Sequence, residues 1–259
     1  MLRLHRDRVD LVFNVAGVRS AASTVLLTHG FAATSQMFSG NIPSLAQNHF
    51  AITWDMRGHG RSGAPDDPSL YTVPLVLDDM VGLLDQLDVP RATLLGHSVG
   101  GFLSLEFALA HPDRVDGLIL VDTGPGFRRD EARDGWNAMA ERYATSLAER
   151  GLAGLPAGAE LSAGSHRTAT GLIHFARRVL TQRDASVLNG LPSIDVPTLV
   201  IVGAQDSNFV AGSEYMAAKM PNARLIVIPD AGHAPNIDRP DVFDRRVQEF
   251  LAANDAARQ

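Results

Sequence analysis

One serine, one histidine and two aspartates stand where short apolar runs give way to glycine-rich turns, and those residue types together can carry out acyl transfer. Ser98 lies in Gly96-His97-Ser98-Val99-Gly100, a G-x-S-x-G pattern between the apolar run "ATLLG" and the helically spaced "GFLSLEFALA". The pattern alone is weak, because glycine and serine are common. Its flanks decide: a strand before and a helix after would force Ser98 onto a sharp, strained turn, with Gly96 and Gly100 letting the two elements approach. The competing reading is a tight turn that merely needs small residues.

A serine hydroxyl is a poor nucleophile at neutral pH and needs a base, and the base needs a third group to orient it. Nine histidines are available. His5, His49 and His111 fall in polar segments or at a helix end and read as structural or solvated. His97 adjoins the serine, but neighbours on an elbow point different ways. His166 and His174 fall in a segment with no fixed scaffold. His233 differs, following the apolar run "ARLIVIP" in the loop "DAGHAPNIDRP". A parallel strand delivers such a loop to the carboxyl edge of its sheet, where Ser98 should also be. For the acid, Asp206 ends "VPTLVIVGAQD" and Asp122 ends "LILVD"; Asp206 is favoured and Asp122 is the alternative acid. Asp55 precedes the serine and breaks the chain order Ser, Asp, His, while Asp230 and Asp238 read as loop carboxylates.

The elements that must position these residues are short Val/Ile/Leu-rich runs with little alternation, as parallel strands buried on both faces require. Six of them begin at Ser23, Phe50, Ala92, Val115, Val196 and Ala223, with helical spacing between several. Leu2 to Val18 alternates around a turn and reads as an antiparallel pair at the sheet edge. The expected fold is α/β, a doubly wound, mostly parallel eight-stranded sheet. Residues 127–191 break the rhythm with amphipathic pieces joined by "GLAGLPAGAELSAG", so they are expected to be a small helical cap inserted in a core formed by 1–126 and 192–259. Trp136, Met139, Tyr143, His166 and Phe175 are its candidate pocket residues, with Phe127 and Leu172 beside them. The tail "ANDAARQ" is expected to fray.

Composition narrows the classes further. Across 259 residues the formal charge is −6, and the charges are scattered, which gives no basic footprint for nucleic acid. The absence of cysteine rules out disulfides, a thiol nucleophile and thiolate metal sites. No apolar run approaches the roughly 20 residues needed to span a bilayer. The opening "MLRLHRDRVDLVF" lacks the apolar stretch of a secretory leader, so a cytoplasmic location is expected. Neither cofactor nor metal is expected. Nothing in the sequence fixes an oligomeric state.

Four segments, "LLTHGF", "WDMRGHGRS", "GHSVGG" and the late "GAQD" followed by "AGHAPNIDRP", resemble in order and spacing the α/β-hydrolase superfamily. The resemblance covers nearly the whole chain and is weakest in the cap. It implies that Ser98, Asp206 and His233 form a catalytic triad, and that the backbone N–H groups of Phe31 and Val99 form the oxyanion hole. Some members carry the acid at the position of Asp122. Arg57, Gly58, His59 and Gly60 read as loop architecture. A serine at position 98 argues against the aspartate-nucleophile dehalogenases and epoxide hydrolases. His97 stands where carbon–carbon bond hydrolases commonly carry asparagine, so the chain is most similar to the esterase and enol-lactone hydrolase-like branch. The implied substrate is a small-molecule ester or lactone. The alternatives are a C–C bond hydrolase acting on a vinylogous diketone and a non-catalytic ligand-binding protein on the same fold.

Overall fold

A computed structural model describes residues 1–19, 23–155, 158 and 166–258. Eight strands form one sheet: β1 Leu2–Arg6, β2 Val9–Ala16, β3 Thr24–Thr28, β4 Phe50–Asp55, β5 Ala92–His97, β6 Val115–Val121, β7 Thr198–Gly203 and β8 Ala223–Ile228. Their spatial order is β1-β2-β4-β3-β5-β6-β7-β8. The pairs β1/β2 and β2/β4 are antiparallel and every other pair is parallel. The expected edge hairpin and the mostly parallel eight-stranded sheet are therefore both present.

Successive residues of the central strands serve opposite faces, as the pleat demands. Leu26, Ile52, Leu94, Leu118, Leu120 and Val200 point into one core, whereas Val25, Leu27, Ala51, Leu95, Ile119 and Ile201 point into the other. Both faces are covered, so β4, β5 and β7 are buried along their whole length. The helices are α1 Ile42–Leu45, α2 Val73–Gln86, α3 Val99–Ala110, α4 Asp130–Arg150, α5 Ala169–Arg178, α6 Ser186–Gly190, α7 Val210–Lys219, α8 Pro235–Asp238 and α9 Pro240–Ala257. Val76, Met80 and Leu83 of α2 and Leu103 and Phe107 of α3 fill the first core. Phe243, Val247 and Leu251 of α9 fill the second, opposite Leu45 of α1.

The chain runs to one side of β3 to form β4 and to the other side to form β5, so the loops after β3 and β5 part company at the carboxyl edge. Such a switch point opens a crevice in doubly wound sheets. Between β6 and β7 the chain leaves the sheet to form α4, α5 and α6, with no strand among the described residues there. Helices α4 and α5 are tied by a bidentate Arg177–Glu141 pair. Trp136 Nε1 also donates to Leu180 O at 2.7 Å. The Gly/Pro-rich link expected between the two helices lies largely outside the described residues.

One expectation fails. Over its described residues the C-terminal segment does not fray, because α9 continues to Ala257. Its last turn is held by polar contacts from distant parts of the chain: Ser23 Oγ donates to Asp255 Oδ2 at 3.2 Å, and Arg258 pairs with Asp116 at 2.8 Å.

Candidate active site

Ser98 occupies the turn between β5 and α3 with φ +52° and ψ −121°, a conformation that costs a residue bearing a Cβ on the order of 1–3 kcal/mol. The surroundings over-determine it. Ser98 N donates to Val121 O at 2.9 Å, and Ser98 O accepts from Gly101 N at 2.9 Å and from Thr123 Oγ1 at 2.7 Å. A Cβ at Gly96 would collide with the Gly100 carbonyl, and one at Gly100 with the Thr28 carbonyl. Both glycines are there for close approach.

The strained turn aims the amino end of α3 at the serine. Val99 is the first residue of that helix, where no intrahelical carbonyl can receive its N–H. Phe31 lies alongside on the loop after β3: a Cβ at its neighbour Gly30 would stand 3.2 Å from Ser98 Cβ. Ala32 takes φ +59°, and Gly30 O accepts from Ala33 N at 3.2 Å, closing the turn around Phe31. The Phe31 ring stacks on Tyr143 of α4 and Phe175 of α5 at 5.9 and 6.3 Å, which joins this loop to the helical insertion.

His233 arrives on the loop after β8 and Asp206 on the loop after β7. Nδ1 of His233 and Oδ2 of Asp206 are 2.6 Å apart. A carboxylate can only accept, so Nδ1 carries the proton and Nε2 keeps its lone pair. Asp206 is mostly buried, which by itself would raise its pKa; the hydrogen bond and charge of His233 outweigh that and hold the carboxyl below its ordinary value. His233 itself is partly exposed, so the pair opens to solvent on one side.

Asp122 lies close by, its polar atoms within 4.8 Å of those of Asp206 and His233. It is fully buried, and its Oδ1 accepts from Gly203 N at 3.0 Å. Burial, reinforced by the neighbouring Asp206 carboxylate, pushes its pKa up to about 9. Asp122 is thus a neutral carboxylic acid at pH 7, while Asp206 is the ionised partner of the imidazole. The three side chains could hold a cation only by giving up the His233–Asp206 bond.

A family model of the alpha/beta hydrolase fold matches residues 23–240. The chain belongs to the α/β-hydrolase fold family. It is 29% identical to 3-oxoadipate enol-lactonase 2 of Acinetobacter baylyi over 256 residues, which covers 93% of this chain and 94% of that one. Among solved structures, it is similar to a thermophilic esterase from Thermogutta terrifontis, with a TM-score of 0.80 at 27% identity over 98% of this chain and 99% of that one. It is equally similar to the enol-lactonase from Burkholderia xenovorans LB400, with a TM-score of 0.80 at 25% identity over 97% and 100% of the two chains. No helix among the described residues of this α/β hydrolase is long and apolar enough to cross a membrane.

The other residues singled out by sequence separate into two groups. Trp136, Met139, Tyr143 and Phe127 are half-buried, whereas Phe175 and Leu172 are fully buried among packed side chains. His166 has a scaffold after all, contrary to the sequence reading. Its Nε2–H donates to Ala32 O at 2.8 Å and its Nδ1 accepts from Gly60 N at 3.0 Å, so both nitrogens are engaged. In the loop after β4, buried Arg57 makes two 2.7 Å bonds to Asp79, and buried His59 lies against Arg57 O at 3.2 Å, as loop architecture requires. Two neighbours of His233 had no signal in the sequence. Phe209 brings its ring to 5.0 Å from the imidazole, and His97 Nε2 lies 2.6 Å from His233 O.

Proposed function

We propose that this α/β hydrolase cleaves the ester or lactone bond of a small, largely apolar substrate, with Ser98 as nucleophile, His233 as general base and Asp206 as the acid that orients it. The observation that carries the reading is the 2.6 Å His233–Asp206 bond, which leaves a bare Nε2 on the imidazole, while a serine held at positive φ follows β5 at the same carboxyl edge of the sheet. Phe31 and Val99 supply the oxyanion donors, and residues 127–191 act as the cap, with Trp136, Met139 and Tyr143 forming an apolar wall. The similarity to an enol-lactonase and to an esterase supports the substrate class.

As Ser98 Oγ attacks the carbonyl carbon, its proton passes to His233 Nε2. The imidazolium that forms is stabilised by the Asp206 carboxylate across Nδ1–H. The negative oxygen of the tetrahedral intermediate receives the N–H groups of Phe31 and Val99, worth about 3 kcal/mol for each donor in comparable sites. Collapse expels the alkoxide, which takes the proton from His233, and an acyl-Ser98 remains. His233 then draws a proton from water as the hydroxide adds to the acyl carbon, and collapse releases the carboxylic acid while Ser98 Oγ takes that proton back from His233. A lactone follows the same steps with the alcohol still tethered to the acyl group. None of the steps uses a metal or an organic cofactor.

The test is hydrolysis of p-nitrophenyl acetate and butyrate by the wild type and by Ser98→Ala, alongside a panel of lactones and vinylogous diketones read by product identity. Loss of the nucleophile should lower kcat at least about 10³-fold. Equal turnover by the two proteins would refute the role of Ser98. A wild type active only on diketones would move the reading to C–C hydrolysis, and binding without turnover would make the site a receptor.

A further inference from the structure

We propose that His97, the residue before the nucleophile, is a positioning residue for His233: its imidazole fixes the main-chain carbonyl of the base relative to Ser98 and to the Phe31 loop. The inference rests on the reading of Ser98, Asp206 and His233 as a triad. It assigns a task to a side chain that takes no part in the proton transfers.

The geometry fixes the tautomer. His97 is fully buried, and its Nε2 lies 2.6 Å from His233 O. A carbonyl oxygen only accepts, so Nε2 must carry the proton. Nδ1 then presents a lone pair, and it has no hydrogen-bond partner among the described residues. It faces the loop after β3, where a Cβ at Gly30 would stand 2.6 Å away, inside contact distance. A second proton on the ring would be buried against that glycine with no acceptor. Burial, aided by the proximity of His233, accordingly lowers the His97 pKa to about 3. The ring is a neutral donor throughout the working range and cannot act as a base.

One imidazole therefore touches three elements: it grows from the end of β5 beside the nucleophile, abuts the glycine preceding Phe31, and holds the carbonyl of the loop after β8. The rings of His97 and His233 are 4.8 Å apart and tilted by 60°, so the two side chains also pack directly. His233 is consequently anchored twice, through its main chain by His97 and through Nδ1 by Asp206. The one imidazole atom left for chemistry is Nε2. Without the main-chain anchor the ring can pivot about its bond to Asp206. A shift of about 1 Å between reacting groups is enough to cost 10²-fold in rate.

Three substitutions separate the hydrogen bond from the volume it occupies. His97→Phe keeps the ring without the donor. His97→Gln brings an amide nitrogen near the Nε2 position, whereas His97→Asn brings one only as far as Nδ1, short of the carbonyl. The Phe and Asn variants should lose about 10²-fold in kcat with KM within about twofold of wild type, and Gln should recover most of the loss. In the ¹H NMR spectrum, the low-field proton shared by His233 Nδ1 and Asp206 should shift or broaden in Phe and Asn and persist in Gln. Circular dichroism and melting temperature report folding in parallel. If His97→Phe does not fold, the contrast between Gln and Asn decides. The inference is overturned if Phe turns over within about threefold of wild type, if Gln falls as far as Asn, or if the loss lies wholly in KM. Failure of the triad reading looks different: the wild type would show no turnover and no labelling of Ser98 by a fluorophosphonate, and the low-field proton would still report whether His97 holds the loop.

Discussion

Two carboxyl groups compete for the imidazole of His233, and their environments assign them different protonation states. Asp206 receives the Nδ1 proton at 2.6 Å and is ionised, with its pKa below the ordinary value. Asp122 is buried, takes one backbone N–H from Gly203, and holds its proton up to about pH 9. Asparagine is close in shape to a neutral carboxylic acid and presents a donor in the same place, whereas it is a poor substitute for a carboxylate that must accept from imidazole. Asp122→Asn should therefore keep kcat/KM within about tenfold of wild type. Asp206→Asn should lose about 10⁴-fold, since the imidazole would be presented in the wrong tautomer. Steady-state hydrolysis of one ester by the two variants is sufficient, and the reverse order would transfer the orienting role to Asp122.

At the scale of the elements, the turn that bears Ser98 works only because two backbones come within contact of it. Thr28 at the end of β3 presents its carbonyl to Gly100, so Gly100→Ala drives a methyl group into main chain that cannot yield. The cost should exceed about 2 kcal/mol in urea denaturation and activity should fall with it. Gly135 offers the opposite case, lying in the exposed first half of α4 with nothing within 4 Å of where a Cβ would stand. Gly135→Ala should stabilise the protein by about 0.5–1 kcal/mol through helix propensity. If both substitutions shift the midpoint in the same direction, steric approach at the elbow is not what distinguishes them. The strands that set this elbow were legible in the sequence because burial on both faces writes itself as unbroken Val/Ile/Leu runs such as "TLVIVG". The last turn of α9 was not legible, since Asp255 and Arg258 look like fraying polar residues until the fold brings Ser23 to the one and Asp116 to the other. His97 and His166 were hidden for the same reason. Their partners, His233 O and Ala32 O, lie more than a hundred residues away and are main-chain atoms, which carry no residue-type signal.

The whole molecule buries an unusual set of titratable groups around one edge of its sheet, and their linkage sets a stability profile with pH. His29, His59 and His97 are fully buried and neutral; burial lowers His29 to about 4, His97 to about 3 and His59 well below its ordinary value. In the unfolded chain each would titrate near 6.5. The unfolded state therefore binds more protons between pH 6.5 and about 4, and the stability present above 6.5 is lost as the pH falls through that window. At pH 5 the loss is about 2 kcal/mol each for His29 and His97, and His59 adds to it in the same direction. Asp122 has the opposite sign: it keeps its proton up to about pH 9 when folded and releases it near 4 when unfolded, so stability falls as the pH rises across that range. Below pH 6.5 the buried histidines oppose the two buried carboxyls whose pKa is raised, Asp122 and Asp79, and outnumber them, so stability falls on balance towards pH 5. Above 6.5 only the Asp122 slope remains. Stability should consequently peak near pH 6.5, fall on both sides, and Asp122→Asn should flatten the alkaline limb while steepening the acid one. Urea unfolding followed by circular dichroism from pH 4.5 to 9 reads the profile directly. A free energy that stays level between pH 6.5 and 5 would mean that the buried imidazoles are charged in the folded protein, contrary to the hydrogen-bond pattern of His29 and His97.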